Sequence, residues 1–257
     1  MAASSKVTKA VSLGALIVAF AFLWIPLGQH NFLVQHWMKV GTFMAPFLVL
    51  AAFSFSASER FINARSISLA LLVSYILHQF EEHWVDIYGR TFAFKPYLNA
   101  FLSNLLGHAD VQEFMSDMSV FVINTSLVWL VGALAVWRGD GHIFAALCMA
   151  AIVVVNAMSH IGAGLMSGSY NPGLLTAVLV FLPVGIGAYV FLARSPAATS
   201  GLLGASLIWG LIAHLIMIGG IVAMSQAPEF PESFLFAALI AWSVLPAFVI
   251  PSRDQNR

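Results

Sequence analysis

Long apolar stretches separated by short polar breaks fill most of the chain. Their spacing predicts eight helices, roughly at 10–27, 41–57, 66–83, 118–137, 142–163, 174–193, 202–223 and 233–250. Each is near the ~20 residues that cross a hydrocarbon core. A bilayer leaves no water to satisfy the backbone, so apolar runs of this length without alternation read as helices. The expected fold is all-α, a polytopic integral membrane bundle forming a single transmembrane domain over 1–257. The first stretch follows Lys6 and Lys9 and holds Ala19-Phe20-Ala21, a formal leader-cleavage pattern. Its apolar run continues through Ile25, which favours a retained anchor.

Polar residues inside this pattern are the informative exceptions. His78-Gln79-Phe80-Glu81-Glu82 sits at the end of the apolar stretch Ser66 to Leu77. At about 100° per residue, His78, Glu81 and Glu82 share one helix face with Ser74 and Tyr75, while Leu77 and Phe80 point elsewhere. His83 falls about 140° from His78 and is left outside the group. An acidic side chain at the bilayer centre costs roughly 2.5–3.5 kcal/mol, less toward the interface, so two of them need a proton, a cation or water. The fifth stretch repeats the spacing with Asn156, Ser159 and His160.

Composition fixes the class. With 60% hydrophobic and 9% charged residues and a mean hydropathy of +0.91, the chain is not a soluble domain. Its formal net charge of zero gives no case for nucleic acid. A lone Cys148 excludes an intrachain disulfide and a thiolate-rich metal site.

Charge placement orients the expected bundle. With both termini cytoplasmic, Lys6, Lys9, Arg60, Arg65, Arg138, Arg194, Arg253 and Arg257 lie inside, and only Lys39, Arg90 and Lys95 lie outside. The expected location is the cell membrane, the inner membrane in a bacterium. His78, Glu81, Glu82, Asn124, Asn156, Ser159, His160 and His214 then converge on the outer half, and His142 stays inner.

The loop from His83 to Asp117 predicts an interfacial helix over 96–106, opened by Pro96 and ended by Gly107. Leu98, Phe101, Leu102, Leu105 and Leu106 take one side and Asn99, Ser103 and Asn104 the other, a pattern suited to a lid over the polar pocket or to packing. Asp110 and Glu113 resemble a capping signal for the next helix. Asn171-Pro172-Gly173 reads as a turn, with Tyr170 and Asn171 candidates for the pocket rim.

His78-Gln79-Phe80-Glu81-Glu82 resembles the defining motif of the HXXEE-domain membrane proteins, and Asn156-Ala157-Met158-Ser159-His160 resembles that family's second, Asn-Ala-x-x-His element. Tyr170 to Ala177, followed by Leu182-Pro183, is similar to its Pro/Gly-containing region. The likeness spans about 66–190 and implies a site without supplying a reaction.

Read as chemistry, His78, His160 and one of Glu81 or Glu82 suit a divalent cation, zinc, iron(II) or manganese, with the other glutamate as general base. Three ligands and an open position fit a metal-dependent hydrolase acting on a lipid-like or amphiphilic substrate. Two imidazoles and one carboxylate equally suit a non-heme iron oxidoreductase. Tyr75, Asn124, Asn156, Ser159 and His214 would orient ligands or bind substrate. A proton-coupled transporter, with Glu81 and Glu82 sharing one proton, is the alternative from another class; an outer-facing ligand sensor is a third. Glutamate-type intramembrane proteases carry an arginine four residues after the second glutamate, where this chain has Asp86.

Overall fold

The computed structural model describes residues 31–58, 62–227 and 231–248. The stretch expected at 10–27 lies outside them, as do Lys6, Lys9, Arg60, Arg253 and Arg257 among the residues used to orient the chain. The described residues are helical throughout, apart from connecting turns and an isolated bridge between Val85 and Thr91.

The first described helix, α1 (Phe32–Ser58), begins well before the expected position 41. Asn31 explains the early start: its side-chain oxygen accepts the Leu33 N–H at 2.9 Å and caps the first turn. Helix α2 (Ala64–Gln79) opens on a reciprocal cap in which Asn63 and Ser66 each bond the other's backbone N–H. It runs on without a break into a π-helical turn, Phe80–Trp84.

A helix, α3 (Phe94–Leu105), forms where one is expected at 96–106. It ends where Gly107 adopts a φ of 74°, which a side chain would resist. Next come α4 (Asp117–Asn124), a π turn Thr125–Leu130 and α5 (Val131–Arg138) as one rod. Ser116, rather than Asp110, caps it by accepting the Ser119 N–H at 3.0 Å. The Ser116 hydroxyl lies one residue before the rod and can reach its free amides; Asp110 cannot.

A 3-10 turn at Gly139–His142 leads to α6 (Ile143–Ser167). Then follow α7 (Leu174–Thr176), a third π turn Ala177–Phe181, α8 (Leu182–Ala193), α9 (Ser200–Gln226) and α10 (Glu232–Phe248).

Four helical stretches among the described residues are long and apolar enough to cross a membrane: Phe32–Ser54, Asp117–Ser167, Leu174–Ala193 and Ser200–Gln226. Glu232–Phe248 is apolar but shorter. The eight crossings and the cytoplasmic termini rest on hydropathy and charge alone.

Helix α6 is the centre. Every residue from Ile143 to Val153 is buried, so this helix has no lipid- or water-facing side over three turns. Helices α2, α5, α8 and α9 pack around it. Outer helices show large apolar side chains instead, with Phe43, Phe47, Leu50 and Phe53 exposed on α1 and Leu211 and Leu215 on α9. A contiguous apolar exterior of this kind suits hydrocarbon. Helices α9 and α10 are tied by Trp209 and Trp242, each donating its indole N–H to the other's backbone oxygen at 3.1 Å.

Candidate functional site

The π turn at the end of α2 creates the site. A wider turn advances each residue by less than the α-helical angle, so side chains five apart come closer to one face. His83, placed outside the group by α-helical geometry, is therefore swung back, and its Nε2 lies 3.0 Å from Glu82 Oε2. That corrects the expectation from the sequence.

Two groups of the motif meet a third from a distant part of the chain there. Nε2 of His78 lies 3.2 Å from Nε2 of His160. Glu82 Oε1 is 3.3 Å from His160 Nε2, and Glu82 Oε2 is 3.5 Å from His78 Nε2. All three side chains are buried.

The far nitrogens of both imidazoles are spoken for. His160 Nδ1 lies 2.7 Å from Asn171 Oδ1, and the Asn171 amide donates to the His160 backbone oxygen at 2.9 Å, which fixes its orientation. His78 Nδ1 lies 2.9 Å from Thr176 Oγ1, whose own proton goes to the Gly173 carbonyl at 3.2 Å. Both Nδ1 atoms therefore carry the proton and both Nε2 atoms present lone pairs. Two lone pairs and a carboxylate facing one point repel unless a cation or proton lies between them.

The donor set fits a cation. With metal–nitrogen distances of about 2.0–2.1 Å, tetrahedral ligands lie about 3.3 Å apart, close to the 3.2, 3.3 and 3.5 Å found here. Among the described residues His78, Glu82 and His160 form a group that could hold a metal ion. The outer hydrogen bonds from Asn171 and Thr176 are the kind that fix ligand tautomer and ring plane at metal centres.

Gly173 makes the approach possible. Its φ is 94°, and a Cβ there would lie 2.7 Å from His78 Cε1 and 2.9 Å from His160 Cε1. No other residue type fits between the two rings.

Glu81 turns the opposite way. Its Oε1 accepts the Tyr170 hydroxyl at 2.9 Å and the Leu175 N–H at 3.1 Å, and its Oε2 accepts the Thr176 N–H at 2.7 Å. It thus caps the start of the α7 to α8 rod, holding Thr176 beside His78. Burial and this carboxylate push the Tyr170 hydroxyl above its ordinary pKa. As a candidate for catalysis, Glu81 has its oxygens committed elsewhere.

The remaining candidates divide. Asn156 donates to the Tyr75 hydroxyl at 2.5 Å, and both line a cavity beside Glu82 and His160. His214 lines it too, with Nδ1 held 2.9 Å from the Gly210 carbonyl. Asn124 reaches the cavity wall but is bonded to Gln79, which also accepts from Trp129. Gln79 thereby clamps α2 to the neighbouring rod, a role unread in the sequence. Ser159 is exposed and bonds back to the Val155 carbonyl; it lies at the rim.

Sequence reasoning passed over Thr176 and Gly173 and left Asn171 as a rim residue. The clustering of polar and turn-forming types from Tyr170 to Thr176, opposite a second histidine, is the available signal. The cavity measures about 270 Å³ and is mostly apolar, walled by α3 through Leu98, Phe101, Leu102 and Leu105 and by Ile218 and Ile221 of α9. Beyond it, the turn after the site is clipped by Asp86, which accepts from the Tyr88 and Arg90 N–H groups and from the Arg90 guanidinium. Desolvation raises the Asp86 pKa, but these bonds outweigh it and hold the carboxyl below its ordinary value.

Residues 69–190 match a family model described as a protein of unknown function with HXXEE motif. No curated protein and no solved structure matches the chain. The matched region contains His78, Glu82 and His160 with their partners Asn171 and Thr176, all of α6 and α2 from Leu69 onward.

Proposed function

We propose that this HXXEE-domain chain is a membrane-embedded, metal-dependent hydrolase of a lipid-like or amphiphilic substrate. The observation that carries the reading is the convergence of two imidazole lone pairs and a carboxylate, each oriented by a dedicated outer hydrogen bond or neighbour. A divalent ion held by His78, His160 and Glu82 would supply Lewis acidity and a more acidic bound water. Zinc, iron(II) and manganese all accept this donor set.

The chain's own groups supply the rest. Glu82 Oε2, which accepts the His83 Nε2–H at 3.0 Å, would take a proton from water as the water oxygen bonds to the substrate's carbonyl carbon. The ester or amide bond then breaks, and the same proton passes to the leaving oxygen or nitrogen. The apolar walls of the cavity favour a substrate with a hydrocarbon part. With eight crossings and cytoplasmic termini, the pocket would open toward the outer face of the cell membrane.

The two-histidine, one-carboxylate set also supports a non-heme iron oxidoreductase as second reading. The transporter reading draws less support, because Glu81 and Glu82 accept from different partners instead of sharing a proton.

Elemental analysis of detergent-purified protein beside His78→Ala, His160→Ala and Glu82→Gln tests the proposal. Near-stoichiometric metal in the parent, lost in all three folded variants, is expected, and iron rather than zinc would select the second reading. A folded parent that takes up no zinc, iron or manganese on titration overturns it.

A further inference from the structure

A second cavity, of about 680 Å³, adjoins the first. Both are lined by His83, Phe94 and Val120, so the two cavities meet at these three residues. Helix α3 serves both: Tyr97, Leu98, Phe101 and Leu102 face the first cavity, and Lys95, Pro96 and Asn99 face the second.

The two chambers differ chemically. The first is apolar over most of its surface, with Tyr75, Asn156, His214 and a Tyr97 hydroxyl that has no partner among the described residues set among its apolar walls, and its volume of about 270 Å³ lies just below the roughly 300–1,000 Å³ of drug-sized pockets. The second carries Gln35, His36, Lys95, Asn99 and Asp117. Its cation is already neutralised, since Lys95 Nζ lies 2.7 Å from Glu113 and 3.0 Å from Asp117. His36 Nδ1 is buried without a hydrogen-bond partner among the described residues. A buried polar atom left open costs free energy that a ligand hydroxyl or amide would recover.

We propose that the two cavities are one divided site for a single-chain amphiphile with an uncharged, hydroxyl- or amide-bearing head. The chain lies in the first cavity against α3 and α9, the head lies in the second beside His36 and Asn99, and the linkage between them crosses the threshold at His83, next to Glu82. The first cavity, at about 270 Å³, suits one acyl chain rather than two, and the pairing of Lys95 with Glu113 and Asp117 in the second favours an uncharged head over an anionic one. This names the substrate class for the hydrolase reading and rests on that reading only for the bond that is broken.

The test uses full-length protein in lipid nanodiscs with EDTA present, so that binding is read without metal. The probe is a monoacylglycerol bearing a diazirine in its acyl chain, with crosslinks mapped by mass spectrometry. Labels on α3 and on Met217–Ile221 of α9 are expected. Ala163→Trp and Leu102→Trp, each filling the first cavity, should lower labelling about tenfold in protein that elutes as the parent does. Unlabelled monoacylglycerol should compete, diacylglycerol and the matching fatty acid should compete about tenfold more weakly, and Gln35→Trp should weaken the monoacylglycerol's advantage over the fatty acid. Labelling confined to the lipid-facing exterior, labelling indifferent to both filling substitutions, or equal competition by two-chain or anionic lipids overturns the proposal. Failure of metal binding with labelling intact would remove the hydrolase reading alone; loss of labelling with metal intact would remove this one alone.

Discussion

At the scale of single residues, Gly173 controls the cluster without donating a ligand. An alanine there would face both a φ of 94° and two ring carbons at 2.7 and 2.9 Å, so one or both imidazoles must turn away. Gly173→Ala should lower metal affinity by roughly 10–100-fold, as loss of a supporting group at a metal centre does, and destabilise by about 1–3 kcal/mol. Isothermal titration with zinc checks the first and thermal unfolding in detergent the second; unchanged zinc affinity would mean that the rings do not have to meet at this point. The three clustered side chains themselves were legible in the sequence. His78, Glu82 and His160 stand out as costly groups in apolar surroundings, and their shared level follows from hydropathy. Gly173 was not legible, because its value lies in what it leaves empty between two helices.

At the scale of elements, the turn following the site is held by a single carboxylate. Asp86 is buried and accepts four hydrogen bonds or ion-pair contacts from Tyr88 and Arg90. Because its folded-state pKa is depressed, its contribution is fully present above the ordinary carboxyl value of about 3.9 and is lost as pH falls through the lower folded value. Protection of the Tyr88 and Arg90 amides, taken relative to their unstructured exchange rates, should therefore fall only on acidification below about pH 4, whereas Asp86→Asn should be unprotected at neutral pH and show no such step. An acid step that survives in Asp86→Asn would assign the effect to another group. Element boundaries show where sequence reasoning stopped. Seven of the eight expected apolar stretches reappear as helices, and α3 was placed to within two residues at its start. Three π turns were invisible, since an apolar pattern read at one fixed angle cannot register a local change of pitch; His83 was lost for that reason.

At the scale of the whole molecule, α6 organises the rest. It is buried on all sides through its first half and presents Asn156 and His160 beyond that half, so the scaffold and the site are successive portions of one rod. Its neighbours supply complementary parts: α2 the motif, the α7 to α8 rod the supporting Thr176, α3 and α9 the cavity walls. This convergence was only half legible. Level along the bundle axis could be read from hydropathy, but which helices adjoin could not, because lipid-facing and helix-facing positions are both apolar.

Extra residues in the coil have a consequence for how the chain can be shortened. Phe181, the last residue of the turn Ala177–Phe181, lies over the His78 ring at 4.1 Å between centroids, and His78 itself stands two residues before the other widened turn, Phe80–Trp84. Removing one residue from either would restore ordinary pitch and a more regular hydrogen-bond ladder. It would also rotate everything beyond it by about 100°. Excising Val178 should thus give a chain that inserts and folds with undiminished helicity by circular dichroism, yet retains no zinc; retention of zinc in that deletant would show that pitch is not what aligns the two rods.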